Sequence, residues 1–238
     1  MKSTVNIKII LAISYILIIS VFLWFFFQNF SIQDFSNYDF IKQNRDTLEN
    51  LKNNNIVISS ILFFLCVILW VLLLGFGTPV FLVGGFIFGK WLGTFLIVLS
   101  LSTGATFLYI LSNFFFQDII KNKFSSKFNY LTNKFKKNEL LYFIIYRFVG
   151  GIPFFISNIL PTLFNIKTRN FFIGSIIGMT PQLYIGASLG HGLSNMLDKN
   201  EELPNLLEII FEPDIYVPLI SLLFILLIGF YFKKKFLK

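Results

Sequence analysis

The sequence is short of charge. Charged residues make up 13% of its 238 residues, whereas soluble domains carry about 25%. Hydrophobic residues make up 55% and aromatic residues 19%, and the apolar residues stand in long uninterrupted runs. These features exclude a soluble globular enzyme, a disordered chain and a fibrous protein. They predict an all-α integral membrane protein.

Residues that carry out chemistry are scarce as well. The single cysteine, Cys66, lies inside an apolar run, which excludes an intramolecular disulfide and predicts a buried small hydrophobe. The single histidine, His191, ends an apolar run and is expected to be an interfacial polar residue. No carboxylate lies within the long apolar runs, and no nucleophile–base set or phosphate-binding loop is present. We therefore predict no catalytic residue, no metal and no cofactor.

The net charge of +8 comes from lysines that flank apolar runs. Six of them lie in the segment 117–138 and four close the chain: Lys121, Lys123, Lys127, Lys134, Lys136, Lys137, Lys233, Lys234, Lys235 and Lys238. Basic residues beside membrane spans are typical of cytoplasmic loops. No nucleic-acid-binding module accompanies the charge, so we expect no nucleic-acid partner.

The apolar runs predict about four full transmembrane helices plus two broken segments. The full spans are expected at 9–27, 92–116, 170–193 and 215–232. We divide the chain into an N-terminal anchor with a polar, interfacial segment, a core, and an acidic outer loop with a C-terminal helix. Their bounds are 1–55, 56–193 and 194–238.

The two broken segments are 56–89 and 140–166. The first is too long for one span and too short for two, and Gly75-Phe76-Gly77-Thr78-Pro79 interrupts it near its middle. The second contains Gly150-Gly151-Ile152-Pro153. Since glycine and proline break helices, each segment is predicted to be a re-entrant hairpin; a single kinked span stays open as the alternative.

The distribution of charge selects a topology. If every apolar run crossed the membrane, the six-lysine segment would lie outside, against the positive-inside rule. If both broken segments are re-entrant, this segment and both termini are cytoplasmic, and the acidic segment 194–214 is outside. The two hairpins then enter from opposite sides, as in an inverted repeat whose broken helices meet near the midplane. Irregular backbone at that depth implies a polar cavity.

Arg147 is the sharpest single signal, because an arginine inside an apolar run is costly and faces a cavity or a partner. Its guanidinium can bind phosphate oxygens in pairs, and Glu139 lies about two helical turns away, too far to be a good partner. Snorkelling or capping of carbonyls is the alternative. Tyr109 and Asn113 share a helix face; they are expected to line the cavity or to make a helix-packing hydrogen bond.

Glycine and proline are expected to shape the hairpins and their neighbours. Gly85, Gly89 and Gly93 repeat every four residues, a spacing that lets helices pack closely in lipid. Pro181 is expected to kink its helix. The full set of hairpin-shaping residues is Pro79, Gly84, Gly85, Gly89, Gly150, Gly151, Pro153, Gly178 and Pro181.

Over about residues 70–192 the sequence resembles the DedA superfamily, in the SNARE-associated Golgi protein branch that carries the VTT domain. The matching residues are Pro79, Gly84-Gly85-Phe86-Ile87-Phe88-Gly89, Leu92-Gly93, Gly104-Ala105-Thr106, Arg147, Pro153-Phe154, Asn158, Gly174-Ser175, Ile177-Gly178, Pro181 and Gly190. Two positions depart from the family pattern: Asn113 stands where an arginine is common, and Gly150 replaces a proline. The membrane acids that the DedA branch ties to proton coupling are absent.

The resemblance implies two facing re-entrant hairpins and the movement of lipids between leaflets, by a phospholipid scramblase or a polyprenyl-phosphate flippase. Arg147 would hold the lipid phosphate, and Asn158, Tyr109 and Asn113 would supply hydrogen bonds. The residue usage, rich in Lys, Phe, Ile and Asn, indicates a bacterial inner membrane. A small-solute or ion transporter, a non-transporting scaffold or assembly factor, and homo-oligomerisation stay open.

Overall fold

The computed structural model describes residues 55–73 and 75–199, together with single positions within 14–28 and 213–227. Between residues 55 and 199 the described chain is helical with short connections, as predicted. Its elements are α1 (Ile56–Leu72), α2 (Gly77–Lys137), α3 (Glu139–Val149), α4 (Phe154–Ile159), a 3₁₀ helix (Leu160–Phe164) and α5 (Thr168–Lys199).

Two stretches are long and apolar enough to cross a membrane, Gly77–Phe115 and Thr168–Asn195. They contain the predicted spans 92–116, except for its last residue, and 170–193. Apart from the single positions, the predicted spans 9–27 and 215–232, the interfacial segment before Asn55 and the acidic segment after Lys199 lie outside the described residues.

A first helical hairpin is formed by α1 and the beginning of α2, residues 77–88. Its tip includes Gly75 and Phe76, where the sequence predicted a break. Trp70 closes the tip, since its backbone carbonyl accepts a hydrogen bond from the Gly75 amide at 2.9 Å. Its indole Nε1 also donates to the Phe76 carbonyl at 2.9 Å.

The chain turns sharply at Gly89, inside α2. Gly89 has φ 75° and ψ 178°, a conformation that only glycine adopts without strain. The helix then returns alongside itself, because a Cβ on Gly93 would lie 2.6 Å from the Gly84 carbonyl oxygen. At its far end the hairpin reaches Gly104, where an added Cβ would lie 2.9 Å from the Val71 Cβ.

A second hairpin is formed by α3, α4 and the 3₁₀ helix. Gly150 and Gly151 turn its tip with φ values of 61° and 77°. The Tyr146 hydroxyl donates to the Ser157 carbonyl at 3.1 Å and ties the two arms together. The return arm ends at Asn165, whose φ is 53°. Asn165 therefore occupies the corner that Gly89 occupies in the first half, and asparagine is among the residues that tolerate this region.

The two halves are arranged in opposite directions. The α2 stretch after Gly89 runs antiparallel to α5, since Trp91 meets Tyr184 at one end with ring centroids 5.2 Å apart. Tyr109 stacks on Phe171 towards the other end. The hairpin tips meet in between, where a Cβ on Gly77 would lie 3.9 Å from the Phe154 ring. The hairpins thus approach the middle of the bundle from opposite ends.

Two details of the sequence interpretation need correction. The segment 117–138, predicted as a loop, is helical through Lys137, because it contains no glycine or proline and lysine is a good helix former. Cys66 is exposed within the chain, since α1 packs through the face of Val67 and Val71. Pro181 lies inside the helix α5, and the kink expected there stays a prediction.

Candidate functional site

Arg147 lies in the last turn of α3 and is only 4% exposed. Its Nε donates to the Ser175 hydroxyl at 3.1 Å, and its Nη1 donates to the Ser157 hydroxyl at 3.0 Å. Ser175 belongs to α5 and Ser157 to α4. The side chain is therefore held between three helices, close to the tip of the second hairpin, and does not snorkel to a surface.

Two aromatic rings face the guanidinium. Its Cζ lies 4.8 Å from the centre of the Phe171 ring and 5.2 Å from the centre of the Phe143 ring. Such cation–π contacts contribute about 0.5–2 kcal/mol. Among the side chains that the structure describes, no carboxylate forms an ion pair with Arg147, so rings and hydroxyls stabilise a cation without a described counter-ion.

Glu139 does not pair with Arg147, which agrees with the sequence-based expectation that it is a poor partner. Its Oε1 accepts the Lys167 backbone N–H at 2.8 Å and the Asn170 side-chain amide at 2.7 Å. The carboxylate therefore joins the start of α3 to the start of α5. It stabilises the base of the second hairpin and leaves Arg147 unpaired.

Polar atoms without partners surround this region. The Arg147 Nη2 is buried and has no hydrogen-bond partner, and Asn158, which is 0% exposed, has none at Oδ1 or Nδ2. Burying such a group without a partner costs about 1–3 kcal/mol. A cationic N–H donor near a neutral amide suits an anion with several acceptor oxygens.

Tyr109 connects to the same cluster through Phe171, and Asn113 lies one helical turn further along α2. The Tyr109 ring stacks on Phe171 with centroids 4.3 Å apart, and its hydroxyl donates to the Ile166 carbonyl at 2.6 Å. The Asn113 Oδ1 is buried without a partner. Tyr109 thus makes the packing hydrogen bond that the sequence left open as an alternative, and it adjoins the Arg147 site.

Several residues at the site were not predicted to be site residues, although Ser175 was among those that match the family pattern. Ser157, Ser175, Phe143 and Phe171 contact Arg147 directly. The sequence does contain one indication of this site. Phe171, Ser175 and Gly178 follow helical spacing, which places them on one side of α5.

The predicted hairpin-shaping residues have distinct positions. Gly150, Gly151 and Pro153 lie at the second tip, and Pro79 is in the first turn of α2. Gly89 forms the corner inside α2, whereas Gly84, Gly85 and Gly178 allow close helix contacts. A Cβ on Gly84 would meet Ile97, one on Gly85 would meet Ala187, and one on Gly178 would lie 2.5 Å from the Arg147 Cβ.

Comparison with known families identifies the chain. Residues 74–192 match the family model described as the VTT domain, and this segment contains Arg147, Asn158, Tyr109 and Asn113. The chain belongs to the VTT domain family. This agrees with the resemblance to the DedA superfamily seen in the sequence. The matched segment ends within α5, one residue after His191.

Curated relatives are membrane proteins by name. A Transmembrane protein 41 homolog from Dictyostelium discoideum is 26% identical over 124 residues, which cover 51% of this chain and 37% of that protein. Transmembrane protein 41B from Homo sapiens is 24% identical over 123 residues, covering 50% of this chain and 42% of that protein. The matches therefore span less than half the length of these relatives. No solved structure matches the chain. The VTT domain and these relatives show that the chain is a membrane protein of the DedA superfamily.

Proposed function

We propose that this VTT-domain protein moves phosphate-bearing lipids between the two leaflets of a membrane. The observation that carries the proposal is Arg147: a buried cation with no counter-ion among the described residues and with a free Nη2, near the point where the two hairpin tips meet. A lipid phosphate offers the charge and the acceptor oxygens that this guanidinium lacks.

The dimensions of the hairpins suit re-entrant segments. Residues 77–88 extend about 18 Å at the helical rise of 1.5 Å per residue, and a bilayer core is about 30 Å thick. Each hairpin then enters and leaves on one side. Gly151, Ile152 and Pro153 are exposed at the second tip. Irregular backbone at that depth must contact protein or water, which supports a polar cavity between the hairpins.

The orientation follows from charge. The lysine-bearing part of α2, Lys167 and Arg169 lie at the same end of the bundle, near Asn165, so we place this end in the cytoplasm. The Gly89 corner then lies at the outer face. We assign the protein to a bacterial inner membrane, with the N- and C-termini cytoplasmic.

In this proposal the headgroup passes through the cavity while the acyl chains remain in the bilayer. The phosphate binds Nη2 of Arg147, and Asn158 supplies an amide donor and acceptor. The first turn of α2, which begins at Gly77 without a side-chain cap, adds the positive end of a helix dipole. No bond is made or broken, so no residue has a catalytic role.

Access to Arg147 requires movement. The side chain is 4% exposed, and Ser157 on the return arm covers one of its nitrogens. The structure therefore represents a closed state in this account. Movement of α4 away from α3 would break the Arg147–Ser157 contact and expose the guanidinium to a phosphate.

A small-solute or ion transporter is the second candidate. Coupling to a cation would need a carboxylate at depth. Among the described side chains the acid nearest in sequence to Arg147 is Glu139, and its carboxylate accepts hydrogen bonds from the Lys167 N–H and the Asn170 amide instead. Charge at the site thus favours an anion. A scaffold role would leave the unpaired cation without an explanation.

Reconstitution into liposomes tests the proposal. A fluorescent phospholipid and a phosphate-free glycolipid with the same label and acyl chains are compared in the same vesicles. We expect the protein to accelerate movement of the phospholipid much more than that of the glycolipid, relative to protein-free vesicles. Equal acceleration of both, or none of either, would contradict a phosphate-selective translocator.

A further inference from the structure

Buried polar atoms without partners are unevenly distributed in the described chain. They are Ser102 Oγ, Asn113 Oδ1, Arg147 Nη2, and Oδ1 and Nδ2 of Asn158. None belongs to α1 or to residues 77–88, which form the first hairpin. Because each such atom costs about 1–3 kcal/mol, their concentration in one half of the bundle calls for water or a ligand there.

Two of these residues belong to a polar line on α2. Ser102, Thr106, Tyr109 and Asn113 are spaced by four, three and four positions, which places them on one helix face. The line is about 16 Å long. It begins near Gly104, beside the tip of the first hairpin, and ends just before the lysine-bearing part of α2.

The line adjoins the Arg147 site. Tyr109 stacks on Phe171, and the Arg147 guanidinium lies 4.8 Å from the same ring. The other half of the bundle, between the tips and Gly89, has a mainly apolar core that includes Val80, Ile97, Leu183 and Ala187. Its buried hydroxyls, on Thr94, Ser100 and Ser188, each donate to a carbonyl of their own helix. Among the described residues, the buried polar atoms without partners therefore lie on the side of Arg147 that faces away from Gly89.

We propose that the lipid headgroup moves along this line, Ser102–Thr106–Tyr109–Asn113, between Arg147 and the end of the bundle where α2 carries its lysines. The mainly apolar core between the tips and Gly89 forms the barrier towards the opposite end in the closed state. Tyr109 blocks the path here, since its hydroxyl is held by the Ile166 carbonyl. This inference rests on the proposed function.

The chain offers a matched pair of double substitutions for the test. Ser102→Ala with Thr106→Val removes two hydroxyls from the line. Ser100→Ala with Thr103→Val makes the same chemical change on other faces of α2. Thr103 and Thr106 each donate to the carbonyl four residues earlier at 2.7 Å, so the two threonine substitutions remove equivalent local hydrogen bonds. Ser100 also donates within its own helix.

We expect the Ser102/Thr106 double variant to lower the rate of phospholipid movement per folded molecule at least fivefold. The Ser100/Thr103 double variant should stay within twofold of the unmodified protein. Equal rates in the two double variants, with the unmodified protein active, would overturn the path and leave the proposed function standing. An inactive unmodified protein would overturn both.

Cysteine accessibility provides a second readout that does not depend on lipid movement. In a Cys66→Ala background, Asn113→Cys and Ser102→Cys should react with a membrane-impermeant thiol reagent added on the side where α2 carries its lysines. Asn113→Cys should react faster than Ser102→Cys because it lies closer to that side. Ser100→Cys should remain unmodified. Labelling of Ser100→Cys at the same rate, or of neither line position, would show that the line is not a hydrated path.

Discussion

The contact between Gly85 and α5 provides the most quantitative test of the fold. A Cβ on Gly85 would lie 2.0 Å from the Ala187 carbonyl oxygen and 2.6 Å from its Cα. Both atoms belong to the backbone, so no side-chain rotation relieves the clash. Gly85→Ala therefore requires residues 77–88 to separate from α5, and this contact joins the two halves of the inverted arrangement.

The change in the free energy of unfolding caused by Gly85→Ala combines two opposing contributions. Overpacking costs about 1–3 kcal/mol, and we take the upper end because the clash is with backbone. Alanine in place of glycine returns about 1 kcal/mol of helix propensity. The net loss is about 2 kcal/mol, which lowers the melting temperature of a domain of this size by roughly 4–8 °C.

Gly77→Ala is the matched control in the same arm. Its Cβ would meet only the Phe154 ring at 3.9 Å, an ordinary contact, while the propensity gain is similar. We expect its melting temperature to be unchanged or slightly raised. The assay is tryptophan fluorescence during heating in detergent, with size-exclusion profiles as a check on folding. Equal melting temperatures for both variants would refute the close packing of Gly85 on Ala187.

Two further predictions concern topology and the base of the second hairpin. In a Cys66→Ala background, Lys127→Cys should label from the cytoplasmic face and Asn205→Cys from the opposite face; labelling of both from the periplasm would contradict the re-entrant topology. Glu139→Ala leaves the Lys167 N–H and the Asn170 amide without their acceptor and should cost about 1–3 kcal/mol, whereas Glu139→Gln should lose less. Thermal stability measures both, and an unaffected alanine variant would show that this contact does not stabilise the hairpin.

The hairpin tips could be predicted because their signals are local. Glycine and proline break a helix regardless of distant contacts, and both predicted breaks coincide with tips, at Gly75–Phe76 and at Gly150–Gly151. The extension of α2 was missed for the opposite reason. Charge suggested a loop at 117–138, but charge sets topology while the absence of glycine and proline allows the helix to continue.

The surroundings of Arg147 could not be predicted in the same way. An arginine inside an apolar run marked Arg147 as a candidate, and that observation needs only the local sequence. Its partner Ser175 lies 28 positions away, and Phe171 reaches both Arg147 and Tyr109 only once α2, α3 and α5 have packed together. Contacts of this kind depend on tertiary structure, which the sequence pattern does not specify.

The stability of Arg147 variants separates a functional arginine from a structural one. Burial of an unpaired charge is costly, so replacing it with a neutral group of similar shape is often neutral or stabilising. We expect Arg147→Gln to fold with an unchanged or higher melting temperature. A structural arginine would instead lose stability and folded yield together.

The most direct test of the central claim is the rate of phospholipid movement per folded molecule in liposomes containing Arg147→Gln. We predict at least a tenfold loss, with Arg147→Lys keeping part of the activity because a point charge attracts phosphate without gripping it bidentately. Arg169→Gln, which changes an exposed arginine of α5, should leave the rate unchanged. A folded Arg147→Gln variant that moves phospholipid at the unmodified rate would contradict the role of Arg147 in binding the lipid phosphate.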